Sequence, residues 1–340
     1  MSARMWCPYR ADMMREIPRV ELADATAASA TRRREFGETV ERGLREIGFV
    51  FVHTRNVARM LPAAYAAYAD VFSRPADELE RYRRPGIHHL RGYTPLGVET
   101  AAACRRSGMD GEPQPDQRSC WLIGPESITD PTLPVRFPAF YADNVWPENA
   151  PAFRDHTLSL FDALNEVGLA ILHALEPQLG CPDGYFADLT RDASTALRPL
   201  CYPPITTDQV GQVVWGCRHT DGNLVSVLPP STGKGLKVKL RGGGWIEGTA
   251  PQDHTIVQVG DMLQYLTGGH LRSAVHRIDT PATPTGHSRY SSPLFIYPRA
   301  DVDLQPAQRW RADPRKYPSI TAAEFFEARL RSTGLSATLN

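Results

Sequence analysis

A chain of 340 residues, 42% of them hydrophobic, is long enough to bury a sizeable core. Lys plus Arg and Asp plus Glu both total 38, so the formal charge is zero and neither nucleic acid nor a membrane surface is favoured as a partner. Six cysteines without a C-x-x-C pair do not make a disulfide framework, and the lack of an apolar run of about 18 residues predicts no membrane-spanning helix.

Residues 1–16 read as a polar leader, poorly ordered and without the pattern of a signal peptide. With reduced thiols, this points to the cytoplasm. Residues 17–22 read as a short strand. Asp24 or Thr26 is expected to cap a helix reaching about residue 47, with Phe36, Val40, Leu44 and Ile47 at helical spacing. Gly48 ends it, and the apolar run 49–52 suits a buried strand. A second helix is expected over 57–72, and a short third one from Ser73 or Asp77. Residues 83–150 are rich in Pro, Gly and Arg and read as irregular functional loops or a lid. After Pro147 and Pro151 comes a long amphipathic helix. Its apolar face runs through Phe153, Leu160, Phe161, Leu164, Val167, Ile171, Leu172 and Leu175, and Gly180 is its C-cap. This helix reads as scaffold.

From Thr195 the texture changes to short β-rich runs between Gly and Pro: ALRPLCY, QVVWGC, NLVSVL, GLKVKL, GWIEG, HTIVQV, MLQYL, SAVHRI and RYSSPLFIY. Such a succession indicates an all-β barrel or double-sheet jelly roll. A last helix is expected over 320–330. The whole chain, 1–340, is read as a single domain, mainly β with flanking helices. A helical and loop region covers 17–180, a jelly-roll core 195–300 and a helical tail 301–340.

The chemistry concentrates in the stretch 215–222, WGCRHTDG. On a strand, residues two apart point to the same face, so His219 and Asp221 can bind one ion together. His276, in the run SAVHRI, would supply a third ligand from a distant strand. Two His and one carboxylate on one face of a metal make the arrangement of non-heme Fe(II) oxygenases. Further on, Arg289 and Ser291 are again two apart. A guanidinium and a hydroxyl on one face suit a carboxylate. Each feature alone is common, but their conjunction in this order is not.

These residues carry a family resemblance. The chain resembles the isopenicillin N synthase-like group of Fe(II)/2-oxoglutarate dioxygenases. The matching pieces are LRPLCYPP (197–204), RHTDGNLVSVL (218–228), GLKVK (235–239), GDMLQYLTGG (260–269), AVHRI (274–278) and RYS (289–291), with looser matches at 45–52 and 91–99. Some segments are similar to bacterial ethylene-forming enzymes, others to cephalosporin ring-expanding enzymes. The resemblance implies a double-stranded β-helix core and Fe(II) held by His219, Asp221 and His276. 2-Oxoglutarate would chelate the iron and place its far carboxylate on Arg289 and Ser291, with Tyr202 touching it. With O2 it would be decarboxylated to succinate and CO2 while a substrate is oxidised. Intact Asp221 argues against halogenation. Hydroxylation, desaturation and ring formation or expansion stay open.

Two departures from the family's pattern stand out. Leu200 and Cys201 stand where many plant-type relatives have Asn and Tyr. Gly222 stands where ethylene-forming relatives carry an aromatic. For the substrate, Arg198 is expected either to bind a carboxylate or to sit in a structural ion pair, and Glu99 to bind a cationic group. Tyr93 and Trp215 are expected to fill the core, and Cys217 to pack rather than to ligate. The implied protein is an enzyme acting on a small molecule, in bacterial specialised metabolism such as antibiotic biosynthesis. Its oligomeric state stays open. The competing readings are an Fe(II) oxidase that uses no 2-oxoglutarate, a zinc hydrolase, and a non-catalytic binding protein of the same fold.

Overall fold

The structure is a computed structural model and describes residues 16–99, 116–306, 310 and 315–333. The expected leader lies outside the described residues except for Glu16, as do residues 100–115 of the loop region and 334–340 of the tail.

Alternation in the strands sets the layers. A six-stranded sheet has the order β1 (Arg19–Glu21), β2 (Phe49–His53), β11 (His254–Val259), β8 (Val225–Leu228), β14 (Leu294–Ile296) and β5 (Ala196–Leu197). One face of this sheet, with Val50, Val52, Val225, Val227, Val257, Val259 and Ile296, packs into the main core beneath the helices. The intervening Phe49, Phe51 and Ile256 point the other way and join a second core with Leu200, Tyr202, Leu236, Val238 and Ile278. That second core lies between the large sheet and two smaller ones. One is β10 (Trp245–Glu247), β9 (Leu236–Lys239), β12 (His276–Ile278) and β7 (Gly216–His219). The other is β13 (Arg289–Ser291), β6 (Leu200–Tyr202), β4 (Ser119–Leu122) and β3 (Gly92–Thr94). Apart from the parallel β1–β2 pair, the named strands pair antiparallel. This is the expected jelly-roll core with flanking helices, and side chains pointing between the sheets face the site.

Helix Pro151–Leu179 is long and apolar enough to cross a membrane by length and composition. Here its apolar face packs against helices Ala30–Glu46 and Arg55–Phe72 and against β8 and β14. Every apolar residue expected on that face is buried, and Gly180 closes the helix in the left-handed region at φ 61°. Gly168 lets the helix approach the sheet. A Cβ there would overlap Ile296 Cδ1 and stand 2.8 Å from Val227 Cγ2.

Several expectations change. MLQYL is not a strand but part of helix Asp261–Leu266, because Met262, Leu263 and Leu266 fall on one helical face and Asp261 opens the first turn. The 83–150 region is less irregular than its composition: it contributes β3 and β4, with Trp121 of β4 fully buried. The first helix is capped by Ser29, whose hydroxyl accepts from the Arg32 amide (3.4 Å), while Asp24 lies in a preceding 3-10 turn. Cys120 and Cys201 are free, buried thiols.

Gly168→Leu forces extra atoms into a closed contact. It is expected to cost about 1–3 kcal/mol, read as a lower midpoint of urea unfolding.

Candidate active site and metal centre

His219 ends β7 and His276 begins β12, and the two are direct antiparallel partners. Their ring centroids lie 4.2 Å apart. Asp221 follows two residues after His219. Its Oδ1 is 3.6 Å from His219 Nε2 and 3.9 Å from His276 Nε2. One ligand atom from each residue therefore fits around a single ion.

The surroundings leave these atoms free for that purpose. His219 Nδ1–H donates to the Cys217 carbonyl (2.7 Å), and His276 Nδ1–H to the Ala274 carbonyl (3.1 Å). Each ring then presents a bare Nε2 lone pair. Asp221 Oδ2 accepts from Ser226 Oγ (2.5 Å) and from Gln258 Nε2, which turns Oδ1 toward the histidines. Burial, then the charge of His276, pushes the His219 pKa down to about 3, so the imidazole is neutral and ready to ligate. Burial opposes the charged form of Asp221. His276, His219 and the Ser226 hydroxyl outweigh it and hold the carboxyl below its usual range.

Arg289 is 5% exposed and lies beside this centre on β13. Its Nε donates to the Gly233 and Lys234 carbonyls (3.1 Å each), and its Nη2 to Ser231 Oγ (2.9 Å). Its guanidinium lies 4.7 Å over the Tyr202 ring. Among the described residues no carboxylate pairs with it, and its buried Nη1 has no hydrogen-bond partner. A buried cation with one unanswered N–H fits an incoming carboxylate. Ser291 and Tyr202, on paired strands, are buried next to it.

His219, Asp221, His276, Arg289, Ser291, Tyr202, Arg198 and Glu99 all line one cavity of about 330 Å³. Arg198 and Glu99 meet each other directly. Arg118 joins them, 3.2 Å from Glu99 and 2.9 Å from Asp116. Burial would raise the Glu99 pKa, but Arg198 and Arg118 hold it down at about 2. Part of the lining is apolar. Phe140, Phe326 and Leu330 come from a satellite cluster that joins the loop region to the C-terminal helix, Ala322–Thr333. Tyr93 and Trp215 are buried in the cores, as expected.

Sequence reasoning missed Ser226 and Gln258. The available signal was a lone polar residue inside each of the buried runs VSVL and HTIVQV, where only a partnered polar group is stable. It also missed Arg118, Asp116 and His89, which reach the cavity through loop geometry. A second cluster is formed by the exposed His173 and Asp183 with the buried Glu176. Glu176 there accepts from the Gly184 and Phe186 amides, so its carboxylate caps the next helix.

The sequence model of the 2OG-Fe(II) oxygenase superfamily matches residues 192–298, and that described as non-haem dioxygenase in morphine synthesis N-terminal matches 17–149. A 2-oxoglutarate-dependent dioxygenase from Penicillium crustosum is 28% identical over 92% of this chain and 91% of its own length. The crystal structure of a 2OG-Fe(II) oxygenase family protein from Caulobacter crescentus is 29% identical with a TM-score of 0.77, covering 93% of this chain and 98% of that one. A full-length protein from Neurospora crassa, crystallised in complex with alpha-KG, shares the fold at 21% identity and a TM-score of 0.78, covering 93% and 96%. The two matched segments and the His-Asp-His centre between the sheets make this chain a member of the 2OG-Fe(II) oxygenase superfamily, a dioxygenase that uses Fe(II), 2-oxoglutarate and O2.

Proposed function

We propose that this dioxygenase oxidises a small molecule held between the Glu99–Arg198 pair and the apolar wall of Phe140 and Phe326. The observation that carries this reading is one cavity lined by the metal trio, by Arg289 with its unanswered Nη1, and by the Glu99–Arg198 pair and apolar side chains. Much of that cavity is needed for 2-oxoglutarate, so the room left suits a small molecule. Hydroxylation, desaturation and ring formation or expansion are all compatible with this lining. A role in bacterial specialised metabolism such as antibiotic biosynthesis, in the cytoplasm, is part of the same proposal.

His219, Asp221 and His276 hold Fe(II), which with 2-oxoglutarate and O2 supplies the oxidising power. Arg289 and Ser291 hold the far carboxylate of 2-oxoglutarate, and Tyr202 walls the guanidinium. Ser226 and Gln258 keep Asp221 turned toward the metal. Glu99 and Arg198 answer each other, so a substrate's polar end meets a matched pair rather than a lone charge. A group with both a donor and an acceptor fits that pair best. The buried apolar residues keep bulk water from the reacting atoms.

Screening amino acids, peptides and small natural products by mass spectrometry is expected to find one giving a 16 Da gain or a 2 Da loss with one succinate per turnover. Turnover without succinate would refute the 2-oxoglutarate role. In His219→Ala that coupled succinate is expected to vanish while the circular dichroism spectrum stays native. Arg289→Ala is expected to raise the KM for 2-oxoglutarate about ten- to hundredfold, the loss of a charge-assisted bond. Gln258→Leu is expected to weaken anaerobic Fe(II) binding roughly 10- to 100-fold, read by titration calorimetry.

A further inference from the structure

Gly222 follows the ligand Asp221, yet its backbone is not in the left-handed region. The glycine instead leaves room for a neighbouring side chain. A Cβ would stand 3.3 Å from Cδ and 3.5 Å from Nε of Arg329, whose stem crosses the backbone at this point. Arg329 comes from the C-terminal helix. Its Nη2 donates to the carbonyl of Thr220, the residue between His219 and Asp221. Its Nη1 reaches Thr220 Oγ1 (3.2 Å) and the carboxylate of Asp261. Asp261 closes the ring, since its amide donates to the Asp221 carbonyl (2.7 Å) and its Oδ2 accepts from Thr220 Oγ1 (3.1 Å). The same helix sends Phe326 against Phe140 (5.5 Å) and Tyr297 (5.1 Å) in the cavity wall.

We propose that Arg329 is a positioning residue for the metal centre, tying the C-terminal helix to the turn that carries His219 and Asp221, with Gly222 as the gap that seats it. The proposal rests on reading His219 and Asp221 as metal ligands. A planar fork suits this place because its two nitrogens serve targets on separate arms in a fixed geometry, where Lys offers a single nitrogen on a flexible stem.

The test measures anaerobic Fe(II) affinity by calorimetry and the visible d–d spectrum of the Co(II)-loaded protein, in wild type, Arg329→Met, Arg329→Lys, Gly222→Val and the Met/Val double variant. Arg329→Met is expected to lose roughly tenfold in Fe(II) affinity and to shift the Co(II) bands, with Arg329→Lys in between. Gly222→Val is expected to give the same loss by unseating the arginine, and the double variant to be no worse than either single one. Wild-type affinity and spectrum in Arg329→Met, or independent addition of the two losses, would sink the proposal. If Arg329→Met fails to fold, Arg329→Lys and Gly222→Val carry the same comparison. His219→Ala separates the two readings: if it too binds Fe(II) like wild type, the ligand assignment fails and Arg329 has nothing to position.

Discussion

The register of β7 against β12 is the constraint on which the site depends. His219 faces His276 across an antiparallel pair, and both rings point between the sheets. A slip of one residue would turn His276 to the other face and leave a lone H-x-D behind. The pairing stays fixed because β12 is clamped on its other side by β9, where His276 lies opposite Val238 and Ile278 opposite Leu236. Val238 and Leu236 belong to the apolar core between the sheets, so the register that suits packing is also the one that builds the metal centre.

A second consequence of the layered design is electrostatic. Charges are rarely left buried without partners. Arg289 is buried with its arms divided among two carbonyls and one hydroxyl, which neutralise nothing. The fold accepts that cost next to the His-Asp-His centre, where an incoming anion would complete the balance. Glu99, Arg198, Arg118 and Asp116 illustrate the opposite solution, an internally matched network of buried charges. One half of the cavity is thus primed for an anion, and the other is already compensated.

The parts legible in the sequence were those with short-range periodicity. The R-x-S spacing follows from strand alternation, and the apolar face of residues 151–180 from the helical repeat; the H-x-D spacing was read as a strand pair, whereas β7 ends at His219 and Asp221 lies just beyond it. His276 needed a longer reach: it was read from its own β-rich run, SAVHRI, and the resemblance then supported it. What stayed hidden depended on tertiary placement. Gln258 and Ser226 were single polar letters in apolar runs, and Arg329 was one of many arginines, 108 residues after Asp221 in the chain. The pairing of Glu99 with Arg198 joins positions 99 residues apart, beyond any local pattern. MLQYL misled because so short an apolar run, within a helix of 6 residues, does not separate a helix from a buried strand.

The long helix Pro151–Leu179 has a further implication for how the molecule comes into being. Its early partners, helices Ala30–Glu46 and Arg55–Phe72, are already synthesised when it emerges, but β8 and β14 are not. Until the ribosome has passed Ile296, the helix surface around Gly168 faces no sheet. A half-made chain therefore carries a stripe greasy enough for a bilayer, with the notch for the sheet still open. Exposed apolar surface of this kind is where an unfinished chain is prone to aggregate before its sheet partners exist.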